Sequence, residues 1–510
     1  MSQLFRRKSI ADCENDLSER GGLRRSLNKW HLTALGVGAT IGAGVFVTTG
    51  TAIAGDAVRP GAGPAIILSF ILTAVACGFA ALCYAEFAAV VPISGSAYTY
   101  AYASLGELIA WIIGWDLIVE YAVGNIGVAI GWSSYFRELV SHIGIHIPPW
   151  LATDFRSASD AAKAVAGGAT DATNLYLASA LTDAPVLWGM RIVGNLPAFL
   201  AVAVVTMVLI RGIKESANSN NVMVILKILI IIFFVGVGLF LLKPDNWNNP
   251  AIGGFAPNGF AGISAGAAII FFSYIGFDAV STAAEEAKDP GRDMPFGIIM
   301  SLVICTVLYV ALSAVMTGLA PWNKLGTADP MITALSFTQG HDSLVKISRI
   351  IISLGAVISM FSVLLVFQLG QPRIFLSMAR DGLLPPVMAK IHPKYKTPWV
   401  GTLLTGLFVG CFAAFANIAE VVDLTNIGTL FAFVLVSFGV IVLRRTDPDR
   451  VRPFRVPGVP FTPLISVAAC LYLMLQLPLV TWIRFGVWLA VGFVIYFMYG
   501  IRHSRLANRG

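Results

Sequence analysis

Runs of about 20 apolar residues recur along almost the whole of this 510-residue chain. A bilayer hydrocarbon core about 30 Å thick is crossed by roughly 20 residues of apolar helix. Only 12% of the residues are charged and the mean hydropathy is +0.78, so this much apolar surface cannot be buried inside one soluble core. The sequence therefore predicts an all-α integral membrane protein with 12 transmembrane helices and excludes an ordinary soluble enzyme. The predicted spans lie near residues 31–54, 64–90, 98–136, 192–210, 218–242, 259–283, 296–320, 346–379, 398–417, 423–443, 461–483 and 485–501.

The positive charges are concentrated on one side of the predicted membrane. With the N-terminus inside, 24 of the 35 lysines and arginines fall in the inner segments and ten fall in the outer loops. This bias follows the positive-inside rule and predicts a multi-pass protein of the cell (inner or plasma) membrane with both termini in the cytoplasm. The net charge of +7 is explained by this topology, which removes the support for nucleic-acid binding. We therefore expect membrane lipid, but no nucleic acid, among the partners of the chain.

The polar segments between the spans are too short for a separate soluble domain. The longest, 151–190, is rich in Ala, Ser, Thr and Asp and is predicted to be a loosely ordered outer loop, and a second outer loop covers 321–345. An ATPase module is therefore not expected, and any pumping would be driven by gradients. The six cysteines form no CxxC pair, and HExxH and GxSxG motifs are absent from the sequence. We expect no metal site, no cofactor and no enzyme activity.

Two predicted spans carry residues that interrupt a helix. The first has four glycines within the nine residues 36–44, and each glycine weakens a helix by about 1 kcal/mol relative to alanine. The sixth has Gly276 and the acidic Asp278 at a similar depth. The two spans occupy corresponding positions in two halves of five spans, and such paired interruptions indicate the binding site of a transporter. For the first span alone, packing of Gly38-xxx-Gly42 against another helix explains the glycines equally well.

A helix that is broken inside the membrane exposes N–H groups on one half and C=O groups on the other. The N–H end suits a carboxylate and the C=O end suits an ammonium group, and a free amino acid carries both. Ile41, which lies among the glycines of the first span, is also a predicted substrate-binding residue. The predicted donors to the carboxylate are the N–H groups of Gly42, Ala43 and Gly44, and the predicted acceptors for the amine are the carbonyls of Thr40, Phe272, Ser273 and Ile275.

Five motifs of the chain closely resemble the amino acid–polyamine–organocation (APC) superfamily, and within it the cationic amino acid transporter family and its bacterial members. The motifs are GATIGAGVFV, YAEFAAVVPISGSAYTYAY, WDLIVEYAVG, FFSYIGFDAVSTAAEEAKDP and SMARDGLLP, and the resemblance runs from about residue 25 to the C-terminus. It implies a five-plus-five inverted repeat with discontinuous helices 1 and 6, two additional C-terminal spans, and alternating access. The chain then divides into a cytoplasmic tail 1–30, a transport core 31–443, a cytoplasmic loop 444–460, spans 461–501 and a cytoplasmic tail 502–510.

The third span carries two acidic residues near its middle. Asp116 and Glu120 are four residues apart, so their side chains lie on one face of the helix. Acidic residues inside a membrane are expensive and indicate function by default, although a buried carboxyl bonded to a neighbouring backbone is the structural alternative. The resemblance implies that Glu120 lies near the substrate amine, through water. Asp116 is the weaker candidate, because its carboxyl could simply bond the adjacent helix.

Lys227 is the one basic residue that we predict to lie deep within a span. Thirteen residues separate it from Lys214, a rise of about 20 Å along a helix, which is too deep for easy snorkelling to the inner surface. Burial disfavours the charged form of a lysine, which suits a proton carrier. The resemblance suggests that this lysine replaces a sodium ion that related transporters hold near span five. It therefore implies sodium-independent, proton-linked transport.

The resemblance also suggests which residues select the substrate. Met360 would face the substrate side chain, and a bulky apolar residue there favours small or medium neutral amino acids such as alanine. Ala43 stands where Ser or Thr is common in the family, which removes a hydroxyl from the carboxylate site. The residues themselves suggest Tyr274, Asp278 and Glu285 as candidate gating residues, and Glu285 could pair with Arg24, Arg25 or Arg373 as an inner gate. The structural alternative for Glu285 is a solvated charged turn.

The expected function is proton-coupled uptake of small or medium neutral L-amino acids, with the free amino acid and the proton as partners. The sequence leaves open an arginine/lysine carrier, an amino acid exchanger and, more remotely, an amino acid sensor that does not transport. It does not decide whether a small membrane subunit or an oligomer is involved.

Overall fold

A computed structural model describes residues 4, 6–8, 26–91, 96–168, 172–187, 189–212 and 217–508. Helices make up most of these residues, and two two-residue strands, Val186–Leu187 and Met190–Arg191, form one hairpin. We number the membrane helices as spans one to twelve. Their bounds are Lys29–Thr40 with Gly44–Ala54, Gly63–Val90, Glu107–Ser141, Leu196–Arg211, Ala217–Leu241, Gly259–Ile270 continued by Phe271–Ser273 and Phe277–Glu286, Pro290–Leu319, Asp342–Arg380, Trp399–Phe415, Ile418–Thr446, Phe461–Leu475, and Leu479–His503.

Length and hydropathy confirm the all-α membrane fold. Among the described residues, eight helices are long and apolar enough to cross a membrane. The two halves of span one form a ninth candidate, bent by 43°. Spans four, nine and eleven are shorter apolar helices, and they complete the predicted set. The discontinuous first span is therefore present in the structure, at the position that the glycines predicted.

Two predicted boundaries are wrong. Span three does not begin at residue 98, because Ser96–Ser104 is a separate helix and Gly106 adopts a φ of +101° before span three begins at Glu107. A residue with a side chain rarely adopts this backbone conformation, so the glycine separates the two helices. Span eleven ends at Leu475 rather than near 483, because Pro478 cannot continue the helix and instead precedes the first residue of span twelve.

The prediction of a loosely ordered outer loop over 151–190 is also wrong. This segment contains the helices Phe155–Ala166 and Ala172–Asp183, followed by the hairpin. Its alanine-rich composition has a high helix propensity, and Asp154 caps the first helix by accepting a hydrogen bond from the Ser157 N–H at 2.8 Å. The two helices pack through buried alanines. The second outer loop, 321–345, also contains a short helix, Pro330–Ser336.

The bundle has two distinct faces. The N-terminal segment and the end of span twelve meet on one of them, where Arg6 Nη1 donates to the carbonyl of Leu506 at 3.0 Å and Lys8 pairs with Asp381 at 2.9 Å. We call this the terminal face, and the opposite face, which carries the helices of 151–190, the loop face. Spans three and six are the most enclosed, whereas span twelve exposes most of its surface. The broken part of span six therefore lies at the centre of the bundle.

Candidate functional site

Span one is interrupted for three residues in the middle of the bundle. Its first half ends at Thr40, Ile41 has extended backbone angles, and the second half continues from Gly44 as a π-helical turn. The N–H groups of Gly42, Ala43 and Gly44 lie at the start of this second half, where a helix offers its N–H groups no internal partner. All of these residues are buried. The predicted N–H cluster therefore exists at membrane depth.

Span six is interrupted next to span one. Its first half ends in a turn of 3₁₀-helix at Phe271–Ser273, and the helix resumes at Phe277. Gly276 lies between the halves with a φ of +117°. A Cβ atom there would lie 2.8 Å from the carbonyl carbon of Ala39, so both the backbone conformation and the close approach require glycine.

The two breaks contact each other backbone to backbone. Gly276 packs on Ala39 of span one, and Gly44 packs on Ser273 of span six, where a Cβ atom at position 44 would overlap the Ser273 Cα atom. The predicted N–H donors of span one thus face the predicted carbonyl region of span six. Ser273 Oγ is buried and has no hydrogen-bond partner among the described residues. We call this region, residues 40–44 and 272–276, the clamp.

The side chain of Lys227 reaches the clamp from span five. Its Nζ donates to the carbonyl of Gly38 at 2.5 Å and to the carbonyl of Ile41 at 3.1 Å, and the residue is almost fully buried. These carbonyls belong to the end of the first half of span one, where a helix favours a cation. The lysine predicted from its depth in the membrane is therefore a direct partner of the broken helix.

Two further side chains bind the same helix end. Tyr309 of span seven donates its hydroxyl to the carbonyl of Thr40 at 3.1 Å, and Ser359 of span eight donates to the carbonyl of Ile41 at 3.3 Å. The Thr40 carbonyl, which we predicted to accept the substrate amine, thus already accepts one hydrogen bond. Its second lone pair remains available for that role.

Glu120 and Asp278 place two carboxyl groups beside the span six break. They are neighbours, and Asp278 Oδ1 accepts a hydrogen bond from the N–H of Gly276 at 3.3 Å. Glu120 Oε2 and Asp278 Oδ2 are buried and have no partner among the described residues. Two neighbouring charged carboxylates repel each other, so the pair suits an ammonium group placed close to it. Asp116 is buried one turn away, and its carboxyl oxygens likewise lack described partners.

Some of the other predicted site residues lie at the clamp and some do not. Phe272, Ile275 and Met360 are buried at or beside the clamp. Tyr274 instead points its hydroxyl at span two, where it donates to the carbonyl of Phe70 at 3.1 Å. The side chain of Glu285 lies outside the described part of the structure, so its predicted gating contacts with Arg24, Arg25 or Arg373 are not described.

A cavity of about 670 Å³ leads from the terminal face towards the clamp. Glu286 and Arg373 line its outer part, and Tyr121 and Ala279, the neighbours of Glu120 and Asp278, line its deep end. On the loop side of the clamp, the cavity beside Val47 measures only about 20 Å³. The larger cavity therefore opens towards the terminal face and ends near the clamp, whereas the cavity on the loop side is small. The described residues contain no cluster of His, Cys, Asp and Glu that would hold a metal ion.

Comparison with known families agrees with this arrangement. The family model described as "Amino acid permease" matches residues 27–500, which include both broken spans, Lys227 and the cavity. The chain belongs to the amino acid permease family. The predicted membership of the APC superfamily is confirmed, and the chain is a transporter rather than an enzyme.

Three relatives show which named transporters this permease resembles. The branched-chain amino acid permease BcaP of Bacillus subtilis is 45% identical, over 99% of both chains. The methylthioribose transporter of the same organism is 44% identical, over 99% of this chain and all of the relative. The vacuolar cationic amino acid transporter 4 of Arabidopsis thaliana is 37% identical, over 88% of this chain and 68% of the relative.

A buried ion pair closes the loop side of the permease. Arg59, in the connection between spans one and two, pairs through Nη1 with Asp423 of span ten and through Nη2 with Asp56, each at 2.6 Å. Arg59 and Asp423 also line the small cavity beside the clamp. Opening of the loop face would separate Arg59 from Asp423, because this contact joins the connection between spans one and two to span ten.

Replacing Arg59 with alanine should favour the state that is open on the loop face. Removing one partner of a buried ion pair costs about 3–5 kcal/mol in the state that forms it, enough for a population shift of more than about tenfold. We expect faster labelling of Thr51→Cys by a membrane-impermeant maleimide added outside intact cells, in a background where the exposed Cys411 is alanine. Lys163→Ala is the control, because Lys163 pairs with Asp160 on the exposed surface of the loop face. Unchanged labelling of a folded Arg59→Ala protein would contradict this role.

Sequence reasoning missed several residues of this site. Tyr309 and Ser359 were not assigned, although Ser359 is a polar residue directly before Met360 in an apolar span. Arg59 and Asp423 carry opposite charges at the ends of spans, but 364 positions separate them, so no local pattern links the two.

Proposed function

We propose that this permease takes up neutral L-amino acids by proton-coupled, sodium-independent alternating access across the plasma membrane, with both termini in the cytoplasm. The observation that carries the proposal is the pair of hydrogen bonds from Lys227 Nζ to the carbonyls of Gly38 and Ile41. A lysine ammonium occupies the end of the broken helix, where it supplies the positive charge that a metal cation would otherwise bring. Residues 31–443 form the transport core in this proposal, and spans eleven and twelve lie outside it.

The clamp accounts for recognition of the amino acid backbone. The N–H groups of Gly42, Ala43 and Gly44 would bind the substrate carboxylate, and the carbonyls of span six together with Glu120 would bind the ammonium. The buried Ser273 Oγ, which has no described partner, adds a polar group at the same place. A zwitterion fits this arrangement because both of its charged ends find complementary groups.

The proposed coupling uses the contacts of Lys227 with span one. While protonated, the lysine donates to both carbonyls and stabilises the clamp. A deprotonated lysine donates more weakly to these carbonyls, which loosens the first half of span one against span five. Because the path is open towards the terminal face, the proton and the substrate would both leave through the cavity of about 670 Å³.

The substrate side chain is proposed to be small or medium and apolar. Met360 offers no charge for a lysine or arginine side chain, and the relative BcaP is named for branched-chain amino acids. We therefore propose alanine, valine, leucine and isoleucine as substrates, and arginine as the less favoured alternative.

Uptake into sodium-free proteoliposomes tests the proposal. We expect labelled leucine and alanine to accumulate when an inward proton gradient is imposed, and labelled arginine to remain near background. Arginine entry that is driven by voltage and indifferent to pH would favour the cationic carrier instead. Counterflow without net uptake would mark an exchanger, and ligand-induced thermal stabilisation without any flux would mark a sensor.

The methylthioribose relative supports a second candidate substrate, because it is as similar to this chain as BcaP is. Methylthioribose lacks a carboxylate and an ammonium group, so it would leave both charged ends of the clamp without a partner. An excess of unlabelled methylthioribose should therefore leave leucine uptake unchanged. Strong inhibition, with uptake of the labelled sugar, would favour the second candidate.

A further inference from the structure

The N-terminal segment and the end of span twelve meet at Asp381, the residue that follows span eight on the terminal face. Lys8 Nζ pairs with the Asp381 carboxylate at 2.9 Å, and the N–H of Arg505 donates to the Asp381 carbonyl at 3.0 Å. Arg6 Nη1 donates to the carbonyl of Leu506 at 3.0 Å, so the two segments lie side by side. We call residues 6–8, 381 and 502–506 the terminal junction.

The two carboxylates at the terminal junction already have partners. Asp381 pairs with Lys8, and its second oxygen accepts the hydroxyl of Tyr98 at 2.8 Å. Glu107, the first residue of span three, is buried and accepts the hydroxyls of Tyr496 at 3.0 Å and Ser504 at 2.5 Å. Neither carboxylate is therefore left to neutralise a positive charge on the outer surface of the junction.

That outer surface carries three arginines. Arg7, Arg502 and Arg505 are exposed, and none of them has an acidic partner among the described residues. Guanidinium groups of like charge repel each other, and an anion that binds between them relieves this repulsion. Phosphate is the anion that suits arginine best, because the planar guanidinium group donates two parallel hydrogen bonds to it.

The apolar surface beside these arginines indicates what carries the phosphate. Phe497 and Met498, about one helical turn before Arg502, are 48% and 68% exposed, and span twelve is the least buried of the eight long membrane helices described. In a membrane, acyl chains cover such a surface, and basic residues at the end of a span reach the level of the lipid head groups. A phospholipid contacts both parts at once, whereas free phosphate contacts only the arginines.

We propose that the terminal junction binds the head group of an anionic phospholipid through Arg7, Arg502 and Arg505. The lipid phosphate accepts hydrogen bonds from the guanidinium groups, and an acyl chain covers Phe497 and Met498. The bound lipid reduces the repulsion between the N-terminal segment and the end of span twelve, which stabilises their shared contacts with the protein. The site is independent of the substrate and of proton coupling.

Titration of the purified protein in detergent with phosphatidylglycerol tests the proposal, with native mass spectrometry and the melting temperature as readouts. Each basic residue at a membrane surface strengthens the attraction to anionic lipid by about fivefold. Arg7→Gln should therefore weaken phosphatidylglycerol binding by about fivefold, and the triple variant Arg7→Gln/Arg502→Gln/Arg505→Gln by about a hundredfold. The rise in melting temperature that phosphatidylglycerol causes in the wild type should disappear in the triple variant.

The matched control removes the same charge from other exposed positions of the terminal face. The variant Lys394→Gln/Arg445→Gln/Arg455→Gln lies in the connections that follow spans eight and ten, outside the terminal junction. It should keep the wild-type affinity for phosphatidylglycerol. Equal losses in the two triple variants would mean that lipid is attracted to the basic surface as a whole, and they would overturn the proposed site.

Two further ligands separate the head group from its alternatives. Zwitterionic phosphatidylcholine should bind more weakly than phosphatidylglycerol, and inorganic phosphate should leave the melting temperature unchanged. Equal binding of the two lipids, or stabilisation by inorganic phosphate that matches phosphatidylglycerol, would contradict the proposal. If the triple variant melts too early to be titrated, Arg7→Gln decides the question, because Arg7 is exposed and wild-type lipid affinity in this variant would exclude its role.

Discussion

Lys227→Ala is expected to lose proton-driven accumulation of substrate by about tenfold or more while the protein remains folded. The wild-type ammonium makes two hydrogen bonds to carbonyls of span one. Hydrogen bonds to charged groups contribute about 1.5–3 kcal/mol each, and 1.36 kcal/mol changes a rate tenfold. Without the lysine, the end of the first half of span one also loses an amine that can take up and release a proton.

The experiment separates coupling from binding. Leucine uptake is measured in sodium-free proteoliposomes with and without an inward proton gradient, and binding is followed by ligand-induced thermal stabilisation. Stimulation by the gradient should disappear in Lys227→Ala, whereas some stabilisation by leucine should remain because the N–H groups of the clamp are intact. Lys243→Ala is the control, since Lys243 lies in the connection that follows span five and does not contact the clamp. Undiminished gradient stimulation in Lys227→Ala would exclude the lysine as the coupling group.

Hydropathy predicted the membrane helices well because each is specified by its own residues. The errors occurred where a local conformation or a distant contact decides the structure. The sequence remains apolar across Gly106, so the turn that separates span three from the helix before it leaves no hydropathy signal. The helices of 151–190 are short, and helices of this length depend on packing against a neighbour for stability.

The site divides in the same way between local and long-range information. The break in span one and the buried Lys227 were predictable, because a cluster of glycines and a charge within an apolar run are visible in the sequence. The side chains from other spans that contact this break were not predictable. Tyr309 binds Thr40 across 269 positions, and Arg59 pairs with Asp423 across 364 positions. No local pattern in the sequence links the members of either pair.

Gly44→Ala should abolish substrate binding and transport, because the two broken spans touch at this residue. A Cβ atom there would overlap the Ser273 Cα atom and lie 2.7 Å from the Ser273 nitrogen. Both atoms belong to the backbone, so no side-chain rotation relieves the clash. The N–H groups of span one must then move away from the carbonyls of span six, and a misplacement of about 1 Å can cost about a hundredfold in activity.

Two other glycines provide a graded comparison for this prediction. At Gly42 a Cβ atom would lie 2.9 Å from Val363 Cγ2, which belongs to a side chain and can yield, so Gly42→Ala should reduce uptake less than Gly44→Ala. At Gly236, on span five, a Cβ atom meets nothing within 4 Å, and Gly236→Ala should behave as the wild type.

Each purified variant is assayed for leucine uptake and for leucine-induced thermal stabilisation, with the melting temperature without ligand as the measure of folding. Because overpacking of this kind costs about 1–3 kcal/mol, the Gly44→Ala protein should still fold. Wild-type leucine affinity in folded Gly44→Ala would mean that substrate binding does not depend on contact between the two breaks, and the clamp would have to be assigned elsewhere.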